Sequence, residues 1–319
     1  MEKYILHRLI KLVLTIWFVW TLIFFLIRIS GDPVQIIFGD EPASEAAVKE
    51  LTRSLGLDLP IWKQYVNSFV KIFKGDAGMS YYYSRSVTDL FMERLWATLS
   101  LSGLALGLGL IVGVLMGVFA AIHRGSVFDR VSITFSIIGY TVPNFVLGII
   151  LIFIFSLKLK VLPSGSTGTV WHYIMPVTTI AVGNAASIAR MTRTSILEVL
   201  NNEFLDFARS KGISERKVIF KHALRNALIP VVTLFGTQLS TLVGGAVVVE
   251  NVFAWPGLGT LIISAAKKRD FPVVQFGVLI IVIFVSIVSF LIDLSYGILD
   301  PRIRDSRDKI GNCETSSQS

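Results

Sequence analysis

Charge is scarcest in this sequence where charge would decide the mechanism. Six apolar runs can be drawn along the chain: Leu12–Ile27, Ala97–Ile122, Val131–Leu157, Tyr173–Ala189, Ala227–Val249 and Val273–Ile292. Within those bounds there is no Asp, Glu, Lys, Arg or His. Proton- and ion-coupled carriers need ionisable groups at membrane depth, so a secondary carrier is disfavoured and energy for transport has to enter from outside the lipid. The chain also lacks a phosphate cradle. No Gly-Lys dipeptide occurs, which excludes the Gly-x-x-x-x-Gly-Lys-Ser/Thr loop. His-Glu-x-x-His and Gly-x-Ser-x-Gly are absent too. Cys313 is the single cysteine, which leaves no disulfide framework and no thiolate metal site. His7, His123, His172 and His222 fall in four separate segments and make no ligand pattern. The sequence reads as no enzyme, with no metal or cofactor of its own.

What is present is apolar. Hydrophobic residues make up 53% of the 319 and charged ones 16%, against about a quarter charged in soluble domains; mean hydropathy is +0.68. The expected fold is an all-α integral membrane protein with six transmembrane helices and an extracytoplasmic insertion after the first. The net charge of +8 lacks a basic domain outside the lipid, so it points to membrane orientation and not to nucleic acid. With both termini inside, cytoplasmic segments hold 17 Lys/Arg and the two short outer loops five, as the positive-inside rule requires.

In order, residues 1–29 are a basic start and a retained first span, with no small-residue cleavage site after it. Residues 30–96 form the insertion, with helices expected over Ser44–Leu55 and from Ile61 to Phe73. Residues 97–304 hold the other five spans, and 305–319 a polar cytoplasmic tail. Gly103, Gly107, Gly109, Gly113 and Gly117 recur at spacings that let a neighbouring backbone approach one helix face. Pro143-Asn144 interrupts the third run, either as a packing kink or to free carbonyls toward a cavity. Asn144, Gln238 and Thr241 are polar within the runs and either line a pathway or bond a neighbouring helix.

One stretch is too polar for its surroundings, residues 203–230. Two short helices joined near Gly212 are expected, with Ser214 capping the second. Val218, Ile219 and Leu224 form its apolar stripe, and Arg216, Lys217 and Lys221 its solvated side. An ordinary basic loop would have the same composition. The order of residues carries more: Ala208-Arg-Ser-Lys-Gly212, then His222-Ala-Leu-Arg225-Asn-Ala-Leu-Ile-Pro230, resembles the EAA loop of ABC importer permeases. Its proline falls at Pro230, where many members carry Leu-Pro at the place of Leu224-Arg225. Further matches are Leu55-Gly-Leu-Asp58-x-Pro60 with Gln64-Tyr65, Gly75-Asp76-x-Gly78-x-Ser80, Val252-Phe-x-Trp-Pro-Gly-Leu-Gly259, Arg269-Asp-x-Pro-Val-Val-Gln275 and Asp300-Pro-Arg302. Together they resemble the B-type permease of dipeptide/oligopeptide/nickel ABC importers.

The resemblance implies a membrane complex of this chain, a second homologous permease, two ABC ATPase subunits that hold ATP and Mg, and an extracytoplasmic solute-binding protein. It assigns Gly212 the turn between the helices and Ala208 close packing. Val218, Ile219 and Leu224 are expected to enter the ATPase cleft, with Ser214, Arg216, Lys217, Lys221 and Arg225 around it. Peptides are the expected cargo; nickel chelates, glutathione and small glycosides stay open.

Overall fold

The computed structural model describes residues 2–299 apart from 32, 39–43, 213, 215 and 216. The chain runs α1 (Glu2–Ser30), α2 (Pro33–Phe38), α3 (Glu45–Ser54), α4 (Ile61–Phe73), α5 (Val87–Ile122), α6 (Val127–Thr141), α7 (Asn144–Leu151) with a π-helical continuation Ile152–Lys158, α8 (Val170–Leu200) and α9 (Glu203–Ser210). A π-helical turn Val218–Ala223 then leads into α10 (Leu224–Val252), followed by α11 (Leu258–Lys267) and α12 (Phe271–Leu299). Among the described residues the extended structure is an isolated bridge between Met79 and Ser86. The polar tail and Asp300-Pro-Arg302 lie outside the described residues.

Among the described residues three helices are long and apolar enough to cross a membrane, over Ile5–Ser30, Val87–Ile122 and Phe271–Leu294. On α1, Val13, Leu14, Trp17, Phe18 and Leu22 face outward, a continuous apolar surface of the kind that needs lipid or protein against it. The centre of the bundle is α8, in contact with α5, α6, α7 and α10. It is among the less apolar of the long helices because protein surrounds it: Thr179, Thr192 and Ser195 are buried there. The Thr179 hydroxyl donates back to the Met175 carbonyl at 2.8 Å.

The α5–α8 contact explains the glycines, and divides them. A Cβ on Gly109 would lie 2.9 Å from Asn184 Cβ, one on Gly113 2.7 Å from Ile188 Cβ, and one on Gly117 2.5 Å from Thr192 Cβ. Those distances are shorter than carbon–carbon contact allows, so the two backbones meet directly. Gly103 and Gly107 have open space at the same position; they belong to a different face. Gly113→Leu should therefore cost about 1–3 kcal/mol through overpacking, while Gly107→Leu leaves stability near wild type. Thermal unfolding of the two purified variants checks the pair.

The third apolar run does not cross straight. α6 and the α7 segment meet at 103°, because Val142 and Pro143 are extended (ψ 120° and 139°). Proline removes a helical N–H and bars its predecessor from the α region. The second apolar run also starts its helix earlier than expected, at Val87 and not Ala97. Asp89 and Glu93 are exposed and Arg94 is half-buried, and Arg85 pairs with Glu93. Val87, Leu90 and Phe91 are buried against Leu258, Leu261, Ala265 and Val273, so protein contacts carry the helix past the apolar run.

Between α1 and α5 the two expected helices form as α3 and α4, and α2 precedes them. Ser44 caps α3, its hydroxyl accepting from Ala47 N at 3.2 Å, and Gly56 takes φ +68° in the turn before α4. Gln64 donates to the carbonyls of Leu57 and Leu59. Tyr65 stacks among Phe24, Phe25 and Phe69 and its hydroxyl meets Thr21 Oγ1 at 2.8 Å, fixing α4 to α1. Two buried carboxylates hold the same end of the bundle. Glu250 accepts from Thr98 Oγ1 (2.6 Å) and the Gly259 and Thr260 amides (2.7 and 3.3 Å) at the start of α11, where helix N–H groups favour an anion. Asp270 accepts from the Ser80 hydroxyl and the Tyr81 and Tyr82 amides, joining the loop before α5 to α12.

Candidate coupling site

The polar stretch leaves the bundle as α9, turns, and returns through the π-helical segment into α10. The turn is at Gly212, with φ +74° and nothing within 4 Å of where a Cβ would stand. Its amide donates to the Arg209 carbonyl at 2.9 Å. A left-handed backbone here selects glycine. Ser214 accepts from the Lys217 and Val218 amides through its main-chain carbonyl, at the start of the returning segment.

The apolar residues of the loop do not form one stripe. Leu205, Val218 and Ala223 are fully buried, with Val199 and Leu200 packed on them. Val218 thus holds α9 to the end of α8 and does not face outward, because a π-helical turn rotates it away from the side that regular α spacing gives. Ile219 and Leu224 are half-buried, Leu224 against a second cluster of Val118, Ala121, Ile196 and Ala227. Gly212, Ser214, Lys217 and Arg225 are exposed. Arg216 and the side chains of Ala208 and Lys221 lie outside the described residues. Sequence reasoning passed over Phe207, on α9, which is 63% exposed with the Lys211 ammonium 4.4 Å over its ring. A large aromatic left in the open between charged neighbours is the signal that was available.

A second feature sits behind the loop. Arg193 on α8 grips Asp129 on α6 with both ends of its guanidinium, Nε to Oδ1 at 2.6 Å and NH2 to Oδ2 at 2.9 Å. Asp129 is 3% exposed and also accepts from the Gly125 amide at 2.9 Å; the Ser126 hydroxyl caps this turn. Bidentate pairing of this kind fixes orientation as well as charge. The loop, the ends of α5 and α8, the start of α10 and the start of α6 are thereby joined. Of the three pathway candidates, Asn144 faces α8 at Gly183, where a Cβ would lie 3.4 Å from its Oδ1. Gln238 is half-buried on α10, and the side chain of Thr241 lies outside the described residues.

Comparisons with known proteins place this helical bundle in a family. The description "binding-protein-dependent transport system inner membrane component" matches residues 113–305, and its N-terminal counterpart matches residues 1–102. The chain belongs to this family of importer permeases. It is 40% identical over 336 residues to the di/tripeptide transport system permease protein DppB of Pseudomonas aeruginosa, covering 96% of this chain and 100% of that one. It is 39% identical over 306 residues to the glutathione transport system permease protein GsiC of Escherichia coli K12, covering 95% and 99%. Among solved structures, an amino acid ABC transporter with histidines superposes at TM-score 0.55 and 19% identity, over 66% of this chain and 95% of that chain. The MetNI methionine ABC transporter does so at 0.55 and 22%, over 66% and 96%. Those two bear on the fold. The permease is a multi-pass protein of the inner membrane and a transport subunit of an ABC importer.

Proposed function

We propose that this permease forms half of the translocation pathway for short peptides in an ATP-driven importer. It would pair with a second homologous permease and two ABC ATPases, and receive cargo from an extracytoplasmic binding protein. Six crossings with both termini in the cytoplasm put the 203–230 loop on the ATPase side. The observation that carries the substrate is end-to-end similarity to permeases named for di/tripeptides and for glutathione; glutathione is itself a tripeptide. The test is uptake by the assembled complex in vesicles supplied with ATP and binding protein. Labelled di- and tripeptides should accumulate and glutathione should compete. Accumulation of a nickel chelate or a glycoside, with peptides left outside, would move this chain to another branch.

Phe207 is the proposed anchor in the ATPase cleft, with Ile219 beside it and Lys217 and Arg225 at the rim. Large aromatics at an interface centre carry a disproportionate share of binding energy. Phe207→Ala should cost about 2 kcal/mol of that affinity, on the order of thirty-fold. ATPase recovered with the tagged permease at limiting concentration checks it.

A further inference from the structure

A cavity of about 530 Å³ lies between the end of α1, the helices α3 and α4 and the first turns of α12. Neither the coupling loop nor the α8-centred packing uses it. Its size falls among small-molecule sites, which run about 300–1,000 Å³. On α1 the wall is Trp20, Phe24, Ile27 and Arg28, successive turns of one face, so the cavity extends about 12 Å inward from Arg28. The wall changes character along that line. Arg28, Lys71 and Asp76 stand near the mouth, and Phe24, Trp20 and Phe276 lie deeper.

Two donors on this wall have no acceptor among the described residues. Trp20 is 3% exposed, and its indole N–H and the Gln275 amide nitrogen are buried with no hydrogen-bond partner. A buried donor left unpaired is unfavourable, so two on one cavity call for an acceptor inside it. Burial raises the Tyr81 phenol above its ordinary value, against the opposing pull of the nearby Arg28 charge, so its O–H stays protonated on the same wall. The Arg28 guanidinium lies 5.1 Å over the Phe24 ring, which places its charge where the polar and apolar parts meet.

We propose that this cavity binds the phosphodiester headgroup of a phospholipid, with the start of an acyl chain along Phe24 and Phe276. A phosphodiester carries only acceptors and a negative charge, which matches two cations and the free indole and amide donors. Both long walls, α1 and α12, are candidate membrane spans, so the apolar part opens at lipid depth. On the cytoplasmic side of membranes, basic pockets between helices take headgroups by this pairing, and the same donors and charges stand here. A peptide would bring an ammonium as well, and the only acidic residue on the wall among the described residues, Asp76, already accepts from the Gly78 amide at 2.9 Å. Free phosphate would leave the apolar end unfilled. Assignment to the outer leaflet rests on the orientation proposed above; occupancy does not.

The test counts phospholipid on the purified importer complex after exhaustive detergent washing, by extraction and mass spectrometry. Wild type should retain one more phospholipid per copy of this chain than the Trp20→Phe/Gln275→Leu variant, and millimolar inorganic phosphate should not displace it. Equal lipid on both proteins overturns the proposal. Displacement by phosphate overturns it too, and identifies a site for a free anion. Should the double variant fail to assemble, Trp20→Phe alone keeps an apolar aromatic ring without the N–H and should still lower retention several-fold. Because lipid is counted without transport, a failure here is distinct from a failure of the peptide reading.

Discussion

Gly212→Pro should leave the permease in the membrane and abolish uptake. Proline holds φ near −65° and has no N–H, whereas Gly212 sits at φ +74° and donates to the Arg209 carbonyl. The turn cannot keep its shape. The bundle can, because the residue is exposed and no atom lies within 4 Å of its Cβ position. Gly212→Ala separates conformation from bulk: alanine fits the space but pays about 1–2 kcal/mol for the left-handed backbone, so uptake should fall only in part. Uptake per unit of permease in the membrane, by immunoblot, orders the series as glycine above alanine above proline. Normal transport by the proline variant would remove this turn from the mechanism.

Arg193→Ala should destabilise the protein by about 3 kcal/mol, near the lower end for breaking a buried pair, since Arg193 keeps 22% of its side chain exposed. The loss follows from what remains: Asp129, 4% exposed at its side chain, would face the Gly125 amide with no cation against it. If ATP hydrolysis by the partner subunits moves the 203–230 loop and the pair passes that movement from α8 to α6, more ATP should be consumed per peptide moved once the pair is broken. Asp129→Asn keeps the size and the acceptor oxygen and should lose less stability than Arg193→Ala while still raising that ratio. Thermal unfolding and the ratio of ATP hydrolysed to peptide accumulated measure the two effects separately. Unchanged stability in Arg193→Ala would contradict the geometry.

Local signals in the sequence were followed closely. Ser44, Gly56 and Pro60 punctuate α3 and α4, and Ile61–Phe73 is a helix, because caps, left-handed glycines and amphipathic spacing act within a few residues. The glycine spacing on α5 was legible too, but its split was not: Gly107 and Gly109 look alike in one dimension, and only the α8 partner distinguishes them. The same limit applies at residues 87–96: they lie outside the apolar run, and burial of Val87, Leu90 and Phe91 is what makes them helix. Val142-Pro143 signalled a break, and the angle of 103° came from two extended residues in succession. In the loop, Gly212 was legible from chemistry alone. Val218 was not, since a π-helical turn shifts register without a sequence signature. Asp129 and Arg193 stand 64 residues apart, and no periodicity joins them.

Recovering the assembly through a tag on this chain tests the central claim most directly. Gentle extraction from native membranes and identification of the co-purifying chains should yield a second permease and ATPases with phosphate-binding loops, and the ATPases should be lost from the Gly212→Pro protein. Recovery of this chain alone, still moving solute in vesicles without ATP, would contradict the account and return the protein to the ion-coupled carriers.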